Sequence, residues 1–99
     1  MSNYLLAFRG RLTADSPAAQ EAAWAKWFQD LGPAIVDTGH RVGRFATVSG
    51  SGVTNGGGAD PLTGYILLAA NSLNSAAELA KGCPILLGGG SVEVGETFD

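Results

Sequence analysis

The chain has 99 residues, 45% of them hydrophobic, and a formal charge of −3 with six scattered basic residues. At that length a single domain, residues 1–99, can bury roughly 65% of its unfolded surface and hold a core without staples. The charge excludes the basic footprint of a nucleic-acid binder. The N-terminal apolar run from Tyr4 to Phe8 is too short for a bilayer span or the core of a signal peptide, so no membrane partner is expected. The single Cys83 cannot form an internal disulfide, which fits a reducing compartment and a cytoplasmic protein.

In chain order, Asn3 to Arg9 is an apolar run that alternates Tyr4, Leu6 and Phe8 with Leu5 and Ala7, so both faces of this strand need cover. Gly10 to Asp15 reads as a connection. Ser16-Pro17 reads as a helix start, with proline at the first helical position, where its missing N–H costs nothing. The helix that follows spaces Trp24, Trp27, Phe28 and Leu31 at i, i+3, i+4 and i+7, an aromatic stripe backed by Lys26, Gln29 and Asp30. Gly32-Pro33 interrupts it, and Ile35 falls where the stripe would next appear, which predicts a kink and one further turn. Asp37-Thr38-Gly39 reads as a turn, and His40 to Ser49 as the second strand through Val42, Phe45, Thr47 and Val48. The glycine-rich stretch from Gly50 to Pro61, with its Asn-Gly pair, joins strands two and three.

Tyr65 to Ala70 is a continuous apolar run bounded by Gly64 and Asn71, the central strand of the sheet. Ser72 can cap a helix reaching to about Lys81, with Leu73, Ala76 and Ala80 as a narrow face of small residues against the sheet. Gly82 is expected to supply a left-handed terminator, and Pro84 forbids the helix to resume. Ser91 to Val94 alternates polar and apolar as a last strand, and the acidic tail from Gly95 to Asp99 is expected to fray.

The order β-α-β-β-α-β specifies an α+β, ferredoxin-like antiparallel sheet with two helices on one face. Helices on one side leave the other side bare. The bulky tryptophan helix is expected on Leu5, Ala7, Ile66 and Leu68, which leaves Tyr4, Leu6, Phe8, Tyr65 and Leu67 on the helix-free face. So large an apolar row calls for a second subunit, a homodimer packed sheet to sheet.

The run Gly64-Tyr65-Ile66-Leu67-Leu68, then Ser72-Leu73, Glu78-Leu79-Ala80-Lys81-Gly82-Cys83-Pro84 and Gly89-Gly90-Ser91-Val92-Glu93-Val94 resembles the C-terminal half of the YCII-related domain family. The spacing of Trp24, Trp27, Leu31-Gly32 and Asp37-Thr38-Gly39 is similar to one small branch of it. The resemblance implies a dimeric α+β barrel with a cleft in or beside it. It also implies that any activity involves a His and Asp pair, the His near the first helix. Here no histidine lies between Ser2 and Gly39, and the one present is His40, beyond that helix.

Asp37 and His40 are the candidate catalytic residues: imidazole exchanges protons near neutral pH without special help, and a carboxylate three residues away could orient it. The alternative is an exposed turn in which Asp37 caps local amides. Tyr4, Phe8, Arg44 and Tyr65 are candidates for lining a small-molecule cleft, Arg44 by drawing an anionic group. Dimer packing and solvated edge charge are their structural alternatives. The glycine clusters precede no helix N-terminus and make no phosphate cradle. One histidine and one cysteine cannot close a zinc site, so neither metal nor cofactor is expected. Two readings stand open: a small-molecule-binding or acid–base (isomerase- or lyase-like) dimer, and a non-catalytic dimeric interaction module.

Overall fold

The structure is a computed structural model and describes residues 1–10, 17–58 and 60–98. In chain order its elements are β1 (Ser2–Arg9), α1 (Pro17–Leu31), β2 (Ile35–Arg41), β3 (Ala46–Ser49), β4 (Gly52–Asn55), β5 (Leu62–Ala70), α2 (Leu73–Ala80) and β6 (Ser91–Glu96), with 3-10 turns at Gly32–Ala34 and Pro84–Gly88. Strands β2, β5, β1 and β6 lie side by side in that order in one antiparallel sheet, and β3 and β4 form a separate ribbon. Without the ribbon the order is β-α-β-β-α-β, a ferredoxin-like α+β fold. Helix α1 begins at Pro17, the first helical position expected for proline, while Ser16 itself and the expected connection after Gly10 lie outside the described residues.

Both helices pack on one face of the sheet. In α1 the aromatic stripe falls as its spacing predicts: Trp27 and Leu31 are buried, and Trp24 and Phe28 are half-buried against the core. The Trp27 indole N–H donates to the Leu79 carbonyl at 3.1 Å, tying α1 to α2. The Ser72 hydroxyl accepts from the Ser75 N–H at 3.1 Å, the cap that its position predicts for α2. Ala76 and Ala80 bury their small faces, while Leu73 stays exposed. Gly82 is not a left-handed terminator. A Cβ there would stand 2.9 Å from Trp27 Cδ1, so glycine lets the indole close over the chain.

The expected division of faces holds for β5, with Ile66 and Leu68 under the helices, and is corrected for β1 by the register. Tyr4 pairs with Leu68, Leu6 with Ile66, and Phe8 with Gly64. Directly opposed residues of an antiparallel pair share a face. Tyr4, Leu6 and Phe8 therefore lie under the helices with Ile66 and Leu68, at 3%, 0% and 4% exposure. Leu5, Ala7, Tyr65 and Leu67 take the helix-free face. The bulk of α1 meets aromatic surface rather than slim side chains: Phe8 stands edge-on to Trp24 and Trp27, with centroids 5.0 and 5.8 Å away.

The second quarter of the chain also departs from expectation. The further turn expected after Gly32-Pro33 is present as the 3-10 turn Gly32–Ala34, but it stops short of Ile35, which opens β2 opposite Leu68, and Asp37-Thr38-Gly39 lies inside β2. The pairing slips between Ile35 and Asp37 and again between Asp37 and His40, so the local turn chemistry is absorbed as strand irregularity. Gly39, at φ +63°, crosses β5 so closely that a Cβ would overlap the Tyr65 carbonyl. The strand expected from His40 to Ser49 divides: His40 and Arg41 end β2, and Ala46–Ser49 pairs with Gly52–Asn55. The ribbon reverses at Gly50-Ser51 rather than at Asn55-Gly56. At the C-terminus β6 runs on to Glu96, and the Thr97 N–H and hydroxyl both donate to the Asn3 carbonyl, at 3.0 and 2.9 Å.

Candidate functional site

The helix-free face carries the chemistry-bearing residues. β5 contributes Tyr65 and Leu67, and β1 contributes Leu5 and Ala7 opposite them. On the β2 side, Asp37 pairs with Leu67 and His40 with Tyr65, so the register brings both candidate catalytic residues alongside this face. The His40 ring lies 6.2 Å from the Tyr65 ring, tilted by 59°. On the β6 side Glu93 pairs with Ala7 and meets Arg9 at 3.3 Å, an exposed ion pair whose contribution to stability is small.

Within β2, Asp37 Oδ1 accepts from the Gly39 N–H at 2.7 Å. That bond is the link between the sequence of this segment and its shape: an Asp two residues before a glycine can hold the backbone in an irregular turn, and only glycine fits against Tyr65. Among the described residues no hydrogen bond joins Asp37 to His40; the carboxylate shapes the strand that presents the imidazole. Both side chains are exposed.

The remaining candidates separate. Tyr65 is half-buried beside His40, whereas Tyr4 and Phe8 are on the opposite side of the sheet in the core, and this corrects their assignment to a ligand-lining face. Arg44 lies past the end of β2 in a left-handed conformation at φ 56°, exposed and outside the main sheet ladder. Leu5 and Ala7 were missed as members of this face, because alternation separates a strand's two faces without saying which one turns towards the helices. No signal in the sequence distinguishes the two faces of β1, and its register against β5 decides.

Two open grooves lie away from His40. One, of about 440 Å³, runs by Met1, Ala70, Asn71 and Leu79. The other, of about 320 Å³, lies between α1 and the segment from Lys81 to Leu87. Cys83 in that second groove is buried, and burial pushes its thiol up to about 12, partly offset by a backbone hydrogen bond at Ile85. A thiol so held is not a nucleophile at neutral pH. Among the described residues no three His, Cys, Asp or Glu side chains gather as metal ligands. No helix is long and apolar enough to cross a membrane. No protein-family model matches the chain, and neither does any curated protein.

Proposed function

We propose that the chain works as a homodimer joined through its helix-free sheet faces, and that it binds a small molecule beside His40 and Tyr65. The observation that carries this reading is the cross-strand His40–Tyr65 pair at the border of an apolar strip formed by Leu5, Ala7 and Leu67. An apolar wall with a few polar groups at its edge is the usual make-up of a small-molecule site. His40 is the group that would move a proton, which suits isomerisation or elimination and needs no cofactor. Asp37 acts through the backbone, by fixing the β2 irregularity. Arg44 would draw an anionic group towards that end of the sheet. The resemblance to the YCII-related family supports the same reading, and the lone buried thiol suits the cytoplasm.

The test is a ligand-observed NMR screen of small molecules, followed by amide-shift mapping on wild type and His40→Gln. Binders that perturb β2 and β5 and lose about tenfold or more in affinity in His40→Gln support the reading. Binders that map elsewhere, or a face silent to the whole screen, overturn it. One observation favours the second reading, a non-catalytic dimeric module: the Asp37 carboxylate is engaged with the Gly39 N–H and not with the imidazole.

A further inference from the structure

We propose that the β3–β4 ribbon is an arm that grips a second copy of this chain, laying Ala46, Val48 and Val53 on the partner. The inference rests on the homodimer reading and adds to it the element that completes the interface. Its starting point is the ribbon's register. Ala46 pairs with Asn55, Thr47 with Thr54, Val48 with Val53, and Ser49 with Gly52. Alternation therefore puts the threonines, Ser49 and Gly52 on one face and Ala46, the two valines and Asn55 on the other, apolar but for Asn55 at its root end. Such a two-sided pattern implies an apolar surface to rest on, yet all eight residues are exposed, Val48 at 76% and Val53 at 70%.

The arm is rooted but bare. The Gly56 N–H donates to the Phe45 carbonyl at 2.9 Å, and the Thr47 hydroxyl donates to the Gly56 carbonyl at 2.8 Å. The Phe45 ring lies against Gly57, where a Cβ would stand 3.1 Å from it. Beyond this root, a two-stranded ribbon on its own is marginally stable in water. Its outer edges also lack the usual protection. Exposed edges normally carry lysine, other charges or proline against unwanted pairing, and Ala46 to Asn55 contains none of these. An uncharged, unprotected, valine-faced ribbon is built to be covered. The radius of gyration, 14.3 Å, is larger than the roughly 13 Å of a compact chain this long, in keeping with a projecting arm.

A second copy is the occupant because the same chain presents the complementary need. The helix-free face of four strands offers a footprint of roughly 400 Å² at ordinary strand spacing and rise. A standard stable interface takes about 800 Å² of accessible surface from each partner, more than a patch of that footprint supplies. In a two-fold pair each protomer both gives an arm and receives one, so the arm's contribution counts twice on every subunit. One isologous interface thus takes in the strip of Leu5, Ala7 and Leu67 and the ribbon together, with His40 and Tyr65 at its border.

Isotope-filtered NOE spectra on mixed labelled and unlabelled wild-type chains are expected to show intermolecular contacts from the Val48 and Val53 methyls. The double variant Val48→Ser/Val53→Ser, with both changes at exposed positions, is expected to keep the monomer fold by circular dichroism. It should weaken the dimer about tenfold or more in sedimentation equilibrium. A wild-type dimer whose Val48 and Val53 methyls make no intermolecular contact, with the double variant associating as wild type does, overturns the arm and leaves the homodimer standing. A wild type that sediments as a monomer at every concentration overturns both.

Discussion

Trp27 fills the joint between the two helices, and three features meet on it: burial, edge-on contact with Phe8, and an N–H donated to the Leu79 carbonyl. Trp27→Ala is expected to cost about 3–5 kcal/mol, because it opens a cavity and removes the indole N–H from the Leu79 carbonyl, which keeps only the 3.4 Å bond from the Gly82 N–H. Denaturant melts with an unmoved midpoint would show that the indole is not core. Cys83 gives a pH-dependent counterpart. Its thiol ionises near 9.0 when free and near about 12 in the fold, since burial disfavours the thiolate. Between those values the folded state binds the extra proton, so its contribution to stability is full below pH 9.0 and is lost as pH rises towards about 12. Wild type should therefore lose more stability than Cys83→Ala when melts are moved from neutral pH into that window, and equal losses would contradict the assignment. At this scale the sequence shows that Trp27 and Ser72 matter, because spacing and capping are local chemistry. It misstates why Gly82 is glycine, because the indole that crowds it comes from 55 positions away in the chain.

At the scale of elements, legibility follows how local the determining forces are. β5, α2 and β6 are readable because an apolar run, an N-cap and a proline each act within a few residues. Ser72→Ala should cost about 1 kcal/mol by freeing the Ser75 N–H, read as a lower melting midpoint that Ser72→Asp restores. β2 is the contrary case. Asp37-Thr38-Gly39 has the composition of a turn and keeps its turn bond from Gly39 to Asp37, yet pairing with β5 holds the segment in the sheet. Long-range ladder bonds outweigh local preference there, which composition alone does not reveal. Gly39→Ala puts a methyl into the Tyr65 carbonyl at an unfavourable φ and should cost more than about 1 kcal/mol. Hydrogen exchange should show the loss concentrated in β2; protection unchanged along β2 would mean that the close crossing is not needed.

For the molecule as a whole, the ferredoxin-like order is legible from the sequence of elements, while the division of faces is not. Strands β1 and β5 are apolar on both sides, so hydrophobic pattern permits either face to meet the helices, and only the register of Tyr4 with Leu68 decides. That register changes which substitutions test the proposed dimer. Tyr4, Leu6 and Phe8 are core, and altering them would unfold the subunit rather than dissociate the pair. Leu67 is the discriminating position: it lies on the helix-free face at the centre of the strip, opposite Leu5 and beside Asp37, and is half-buried in the single chain. In a monomer an aspartate there keeps access to water and costs little. Across a packed sheet-to-sheet interface it would be a buried, unpaired charge, strongly destabilising to association, with the Asp37 carboxylate alongside. Leu67→Asp is therefore expected to turn a wild-type dimer into a folded monomer in light scattering, while Leu6→Asp, on the core side of the same sheet, should abolish folding altogether. A Leu67→Asp protein that remains dimeric would move the interface off this face.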